Sequence, residues 1–145
     1  MSGFRRLGTL PEVEGWQGAL VMAQDREGRV LMQLRDDRPG IAAPGHWGLF
    51  GGGVEPGEDL VEAAVREFRE ETGVWLSEHE LAPLVRVPSQ ARSDGVLYVF
   101  HTDRRIAPGE LRLGEGAGFA FLTPAQLLRF DVIAPLRPLF AEMLD

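Results

Sequence analysis

The chain has 145 residues, 44% of them hydrophobic, enough for one domain with its own core. It contains no cysteine and no lysine, which excludes disulfides, thiolate chemistry and Schiff-base catalysis; all fifteen basic residues are arginine. The net charge of −7 argues against a nucleic-acid surface, and no run of eighteen apolar residues offers a membrane span.

Residues 1–15 lack the apolar core of a signal peptide, so a cytoplasmic protein is expected. A strand is predicted over 18–23, a turn over 25–28 and a second strand over 29–35, together a hairpin. A polar loop carrying Pro and Gly follows over 36–44. Residues 47–50 form a short strand leading into a glycine turn, Gly51-Gly52-Gly53. Residues 60–72 contain neither Pro nor Gly and predict a helix of three to four turns. Asp59 and Glu62 form a capping box at its start, and Gly73 suits the position just past its end.

Further strands are predicted over 84–87, 96–102, 110–113 and 119–122, the second a nearly continuous apolar run of the kind found in a central strand. Residues 104–109 form a turn. Thr123 and Pro124 read as N-cap and first residue of a helix. Residues 135–144 predict a C-terminal helix with Leu136, Leu139, Phe140 and Met143 on one face. Strands alternating with two or three helices imply an α/β fold with a mixed sheet covered on both faces. One domain over 1–145 is expected, without repeats or linkers.

Helical spacing divides the side chains of 60–72. Val61, Ala64, Val65 and Phe68 fall on one apolar stripe. Glu67, Glu70 and Glu71 stand at i, i+3 and i+4 and crowd a neighbouring face. Such repulsion costs about a few tenths of a kcal/mol per pair, which a hard divalent cation would offset. A solvated acidic face is the plain alternative. Against it stand the placement of the acids beside the apolar stripe and the glycines ahead of the helix, which allow close backbone approach. Residues 52–74 hold seven acids against two arginines, so five of the seven net negative charges are local. Arg66 lies one turn before Glu70. It is either a surface ion pair or a partner that orients a carboxylate.

Gly52, Glu58, Arg66, Glu67, Phe68, Glu70, Glu71, Gly73 and Val74 stand at the spacings G-x5-E-x7-R-E-U-x-E-E-x-G-U, with U a bulky apolar residue. This pattern resembles the Nudix box, complete at every defined position, and the chain resembles the Nudix hydrolase superfamily, MutT-like members included. The resemblance implies an α/β/α sandwich with a mixed β-sheet. It implies a metal-dependent hydrolase that cleaves the diphosphate bond of a nucleoside diphosphate linked to another group, such as a nucleotide sugar or a nucleoside triphosphate. The cofactor implied is Mg²⁺, with Mn²⁺ as the alternative, held by Glu67, Glu70, Glu71 and the carbonyl of Gly51.

Arg66 is then the orienting partner. Glu115, in the glycine-rich segment 114–118, resembles the residue that brings a further acid to the metal site, with Glu110 as its rival. Arg35 ends a strand resembling the family's L-x-x-R and is a candidate phosphate ligand, a surface arginine being the alternative. Trp47 is a candidate for facing the variable group, unless it is buried. Phe50 stands where family members commonly have proline. A non-catalytic nucleotide-binding or sensor domain is the alternative function, but such domains lose box glutamates. An isomerase of this fold would use a cysteine that is absent. The partner expected is a small molecule, with a homodimer left open, and the linked group stays undecided.

Overall fold

In the computed structural model, which describes residues 3–36, 45–114 and 118–144, the apolar segments pair into one eight-stranded sheet. Its strands are β1 (Arg5–Arg6), β2 (Trp16–Gln24), β3 (Val30–Leu34), β4 (Trp47–Gly48), β5 (Phe50–Gly53), β6 (Leu81–Pro88), β7 (Gly95–Arg105) and β8 (Gly118–Leu122). The helices are α1 (Leu60–Thr72), α2 (Pro124–Leu127) and α3 (Arg137–Glu142). The strand order is β1-β6-β7-β2-β3-β4, with β5 paired to β2 and β8 to β3. β2–β7 and β1–β6 are parallel and the remaining pairs antiparallel, so the sheet is mixed.

β2 is buried on both faces from Gly18 to Ala23, which is why its sequence reads as a continuous apolar run and not as an alternation. Its odd residues Ala19, Val21 and Ala23 pack with Phe50, Tyr98 and Phe100 against Leu60, Ala63, Ala64 and Phe68 of α1. Its even residues Leu20 and Met22 pack with Met32, Val85 and Val99 against Leu127, Leu136, Leu139 and Phe140. Period-two alternation thus feeds two cores, one under each helical layer, and the fold is an α/β/α sandwich.

The sequence fits α1 at both ends. Asp59 accepts from the Glu62 N–H while Glu62 accepts from the Asp59 N–H. Gly73, at φ 77°, closes the helix by donating its N–H to the Arg69 carbonyl. The buried side differs slightly from the predicted stripe. Leu60 and Ala63 are buried with Ala64 and Phe68, whereas Val61 and Val65 are only partly covered.

Three expectations need correction. Gly51-Gly52-Gly53 is not a turn but a strand, with Phe50 to Gly53 in register opposite Val21 to Gly18. Residues 110–113 form no strand; a 3₁₀ turn over Pro108–Glu110 leads into a segment in which the Arg112 N–H bonds the Thr72 carbonyl at 2.7 Å and the Gly114 N–H bonds the Glu71 carbonyl at 2.8 Å. That segment satisfies the carbonyls at the end of α1, which have no partners within the helix. The C-terminal helix is split into a 3₁₀ turn over Ala134–Leu136 and α3. β1, an exposed two-residue edge strand, had no sequence signal. Most of the predicted 36–44 loop, and Glu115, lie outside the described residues.

Candidate active site

The glycines of β5 let α1 approach the sheet with its acids. A Cβ on Gly52 would lie 2.6 Å from the Glu67 carboxyl carbon, so the Glu67 head group occupies the space a side chain would take. One turn further on, Glu71 is buried at 5% exposure, and its Oε1 accepts the Gly51 N–H at 2.8 Å. Both carboxylates line a cleft of about 460 Å³ together with Gly51, Gly52, Gly53 and Arg35. The Gly51 N–H thus holds Glu71, and the missing side chain of Gly52 leaves the room that Glu67 fills.

Arg66 organises the approach to this pair. Its Nε and Nη2 donate to the two oxygens of Glu58 at 2.7 and 2.9 Å, Nη1 donates to Glu67 Oε1 at 3.0 Å, and Nη2 also bonds the Gly53 carbonyl at 3.1 Å. The predicted partner, Glu70, is reached only at 3.3 Å and is half exposed. The fork is therefore spent mainly on Glu58 and Glu67, a match of planar donors to carboxylate that lysine cannot make. The hydrogen bonds and charge of Arg66 hold the Glu58 carboxyl down at about 2, even though burial alone would raise it. The same contacts raise Arg66 above its ordinary value.

Glu67 and Glu71 therefore meet at the cleft, while Glu70 stands outside its lining, on the solvent side of Arg66. Among the described residues, no three acid or histidine side chains are grouped closely enough to surround one ion. Two carboxylates remain a suitable donor set for Mg²⁺, which keeps several waters and commonly takes one or two carboxylates plus substrate phosphates. The vacant Cβ position at Gly52 makes the room for the Glu67 head group.

Of the other candidates, Arg35 lines the cleft at the end of β3. Trp47 packs edge-on against Phe130, with ring centroids 6.0 Å apart, and is not among the lining residues. Glu110, the rival of Glu115, accepts from its own 3₁₀ turn at Ala107 and from Arg104, away from the cleft. Phe50 is buried against Phe68 in the core below α1. Sequence reasoning missed Trp16 and Gln90, which line the cleft together with Arg92. The available signal was an aromatic residue opening a strand two positions before a glycine, a place where strands ordinarily carry a side chain.

The NUDIX domain family model matches residues 16–143 of the chain. The chain belongs to the Nudix family. It is a hydrolase of phosphoric anhydrides. The nucleoside triphosphatase NudI of Escherichia coli O17:K52:H18 (strain UMN026 / ExPEC) is 36% identical over 112 residues, which cover 71% of this Nudix chain and 78% of that protein. NudI of Escherichia coli O1:K1 / APEC is 35% identical over the same length. The MutT protein from Methanosarcina mazei Go1 superposes with a TM-score of 0.73 at 22% identity, covering 90% of this chain and 94% of that one. An Ap4A hydrolase from C. elegans does so with a TM-score of 0.63 at 18% identity, covering 89% and 95%. These two structures speak for the fold, and the Nudix box, β5 and α1 carry its acids.

Proposed function

We propose that this Nudix hydrolase cleaves the diphosphate bond of a nucleoside diphosphate derivative in a divalent-metal-dependent reaction, with nucleoside triphosphates as the first substrates to test. The observation that carries this reading is the convergence of Glu67 and Glu71 on one cleft across the glycines of β5. The nucleoside triphosphatase activity named for the NudI relatives supports the choice of substrate.

Glu67 and Glu71 would hold the cation, Mg²⁺ or Mn²⁺, with the Gly51 carbonyl as a further oxygen donor; Glu70, outside the cleft lining, would have to swing in to join them. A divalent cation bound there supplies neutralisation of the diphosphate oxygens and a lowered pKa for water. The chain's own residues do the rest. Arg66 keeps the Glu67 carboxylate aimed into the cleft through its bond to Oε1, and Glu58 keeps Arg66 in place. The Gly51 N–H holds Glu71. Arg35, which lines the same cleft, would present its guanidinium to a phosphate. Glu115 is the proposed source of a further carboxylate, as a ligand or as the base that takes the proton from water.

A panel of nucleoside triphosphates and nucleotide sugars, run with Mg²⁺ in ¹⁸O-water, tests the reading. The label should appear on a phosphate product, and EDTA should abolish turnover. Label on the sugar carbon side, or turnover that survives EDTA, overturns it.

A further inference from the structure

Within the cleft, the indole of Trp16 touches the positions of three missing side chains. A Cβ on Gly18 would lie 2.9 Å from Trp16 Cη2, one on Gly53 3.2 Å from Cζ2, and one on Gly95 3.0 Å from Cε3. The register pairs Gly18 with Gly53 on β5 and Trp16 with Gly95 on β7, so the three glycines lie on the three adjacent strands β5, β2 and β7. Neighbouring strands stand about 4.8 Å apart, and side chains at matching register share one face. A single ring that touches glycines on both flanking strands must lie across the sheet rather than stand up from it. Glycine weakens a strand, so three of them beneath one indole is a costly way to lower it into the floor.

What this flattening exposes is a flat aromatic face turned toward the cleft. Trp16 is only partly buried, and the Arg92 guanidinium lies over its ring, 5.6 Å from the centroid. Arg92 is half exposed, and so can move aside or cap a second ring from above. The loop that carries it is fixed. Ser89 Oγ accepts the N–H groups of Ala91 and Arg92, the Ser89 N–H bonds the Gly95 carbonyl at 2.9 Å, and Gln90 Oε1 accepts the Ala134 N–H. Trp16 is tied to the same loop through its own N–H on the Asp94 carbonyl. Floor and loop are thus held as one unit.

The spacing to the acids is set by β5 itself. Glu67 sits on Gly52 and the Trp16 ring on Gly53, the next residue along the strand. Consecutive strand residues face opposite sides of the sheet, but Glu67, Glu71 and Trp16 line one and the same cleft, so a ligand in it can meet both the acids and the indole.

We propose that Trp16, laid flat on Gly18, Gly53 and Gly95, is the platform on which the aromatic base of the nucleotide stacks, with Arg92 closing over it. This deepens the nucleotide reading of the cleft and rests on it. Because every base has a π-face, the platform serves purines and pyrimidines alike.

The test compares wild type, W16F and W16L on the four nucleoside triphosphates and on tripolyphosphate, which has no base. Binding of a non-hydrolysable α,β-imido nucleoside triphosphate is followed in parallel by tryptophan fluorescence. In W16L, KM should rise about 5- to 100-fold for all four nucleotides, the range of a lost base–aromatic stack, with W16F intermediate and the loss falling on KM rather than on kcat. Tripolyphosphate should show no such rise. The analogue should quench wild-type emission, and that quench should vanish in W16F. If wild type hydrolyses nucleotides but shows no quench, or if tripolyphosphate suffers the same KM rise, the platform is overturned while the hydrolase reading stands. If the analogue quenches but no nucleotide is hydrolysed, the platform stands and the hydrolysis reading fails. Should W16L not fold, the wild-type quench and W16F decide.

Discussion

Arg66 grips Glu58 with two parallel hydrogen bonds, 2.7 and 2.9 Å long, and with its remaining terminal nitrogen touches Glu67 Oε1 at 3.0 Å. One planar group thus ties the residue before the helix to a carboxylate on the cleft and, through the Gly53 carbonyl, to the strand opposite. Lysine keeps the charge but cannot span these partners. Arg66→Lys should lower kcat about 10- to 100-fold, the usual effect of losing a group that orients a metal-binding carboxylate. Circular dichroism should show the helix intact. Unchanged kcat in R66K would remove Arg66 from the machinery.

The same pair sets a pH dependence of stability. Glu58 ionises at about 2 in the folded protein, held there first by its hydrogen bonds to Arg66, against roughly 4.3 in an unfolded chain. A depressed carboxyl stabilises the fold only while it is ionised and paired. The contribution is therefore complete above about pH 4.5 and is lost as the pH falls toward 2. Thermal melts of wild type and Glu58→Gln should differ most at neutral pH and converge through this window. A gap that stays constant down to pH 2 would contradict the assignment.

Two adjacent glycines should fail in different ways. At Gly52 an added Cβ meets the end of the Glu67 side chain at 2.6 Å, a group that can swing away. At Gly51 it meets the Ala19 backbone oxygen at 2.2 Å, which cannot move without breaking the β2–β5 pairing. Gly52→Ala should fold with a melting temperature near that of wild type but lose most of its turnover, because Glu67 is displaced. Gly51→Ala should lose stability itself. A G52A protein with normal kcat would show that the Glu67 position is not needed.

The limits of the helix, its capping box and the glycine that ends it were legible because they depend on local backbone chemistry, as were the box acids, which stand at fixed spacing on one helix. The division of labour among those acids was not legible. Glu67, Glu70 and Glu71 look equivalent on a helical wheel, and only the position of β5 makes Glu71 buried and leaves Glu70 beside Arg66 in solvent. Arg66 was read with the partner four residues on because that contact is local; its principal partner, Glu58, lies across the helix entry. Trp16 was missed for the same reason. The glycines that flatten it lie 2, 37 and 79 positions away along the chain, and meet it only through strand pairing. The strand expected over 110–113 failed because the N–H groups of Glu110 and Leu111 are taken by their own 3₁₀ turn and that of Arg112 by the end of α1, not by a neighbouring strand.

Glu71 joins two roles that substitution can separate. It is buried, it accepts the Gly51 N–H at 2.8 Å, and it lies one turn from Glu67 on the same cleft. Glu71→Ala leaves that N–H without its acceptor, a loss of about 1–3 kcal/mol. At roughly 2–4 °C per kcal/mol for a chain of this size, the melting temperature should fall clearly. Glu71→Gln keeps an oxygen for the N–H and removes one of two crowded negative charges, so without metal it should melt at or above the wild-type temperature. With Mg²⁺ the order should reverse. A ligand that binds only the folded protein raises stability with its concentration, so wild type should gain and E71Q should not. Turnover in E71Q should drop by orders of magnitude despite its intact fold. Equal gains with Mg²⁺ in both proteins would mean that Glu71 holds the strand but not the ion, and the cation would have to be sought beside Glu67 alone.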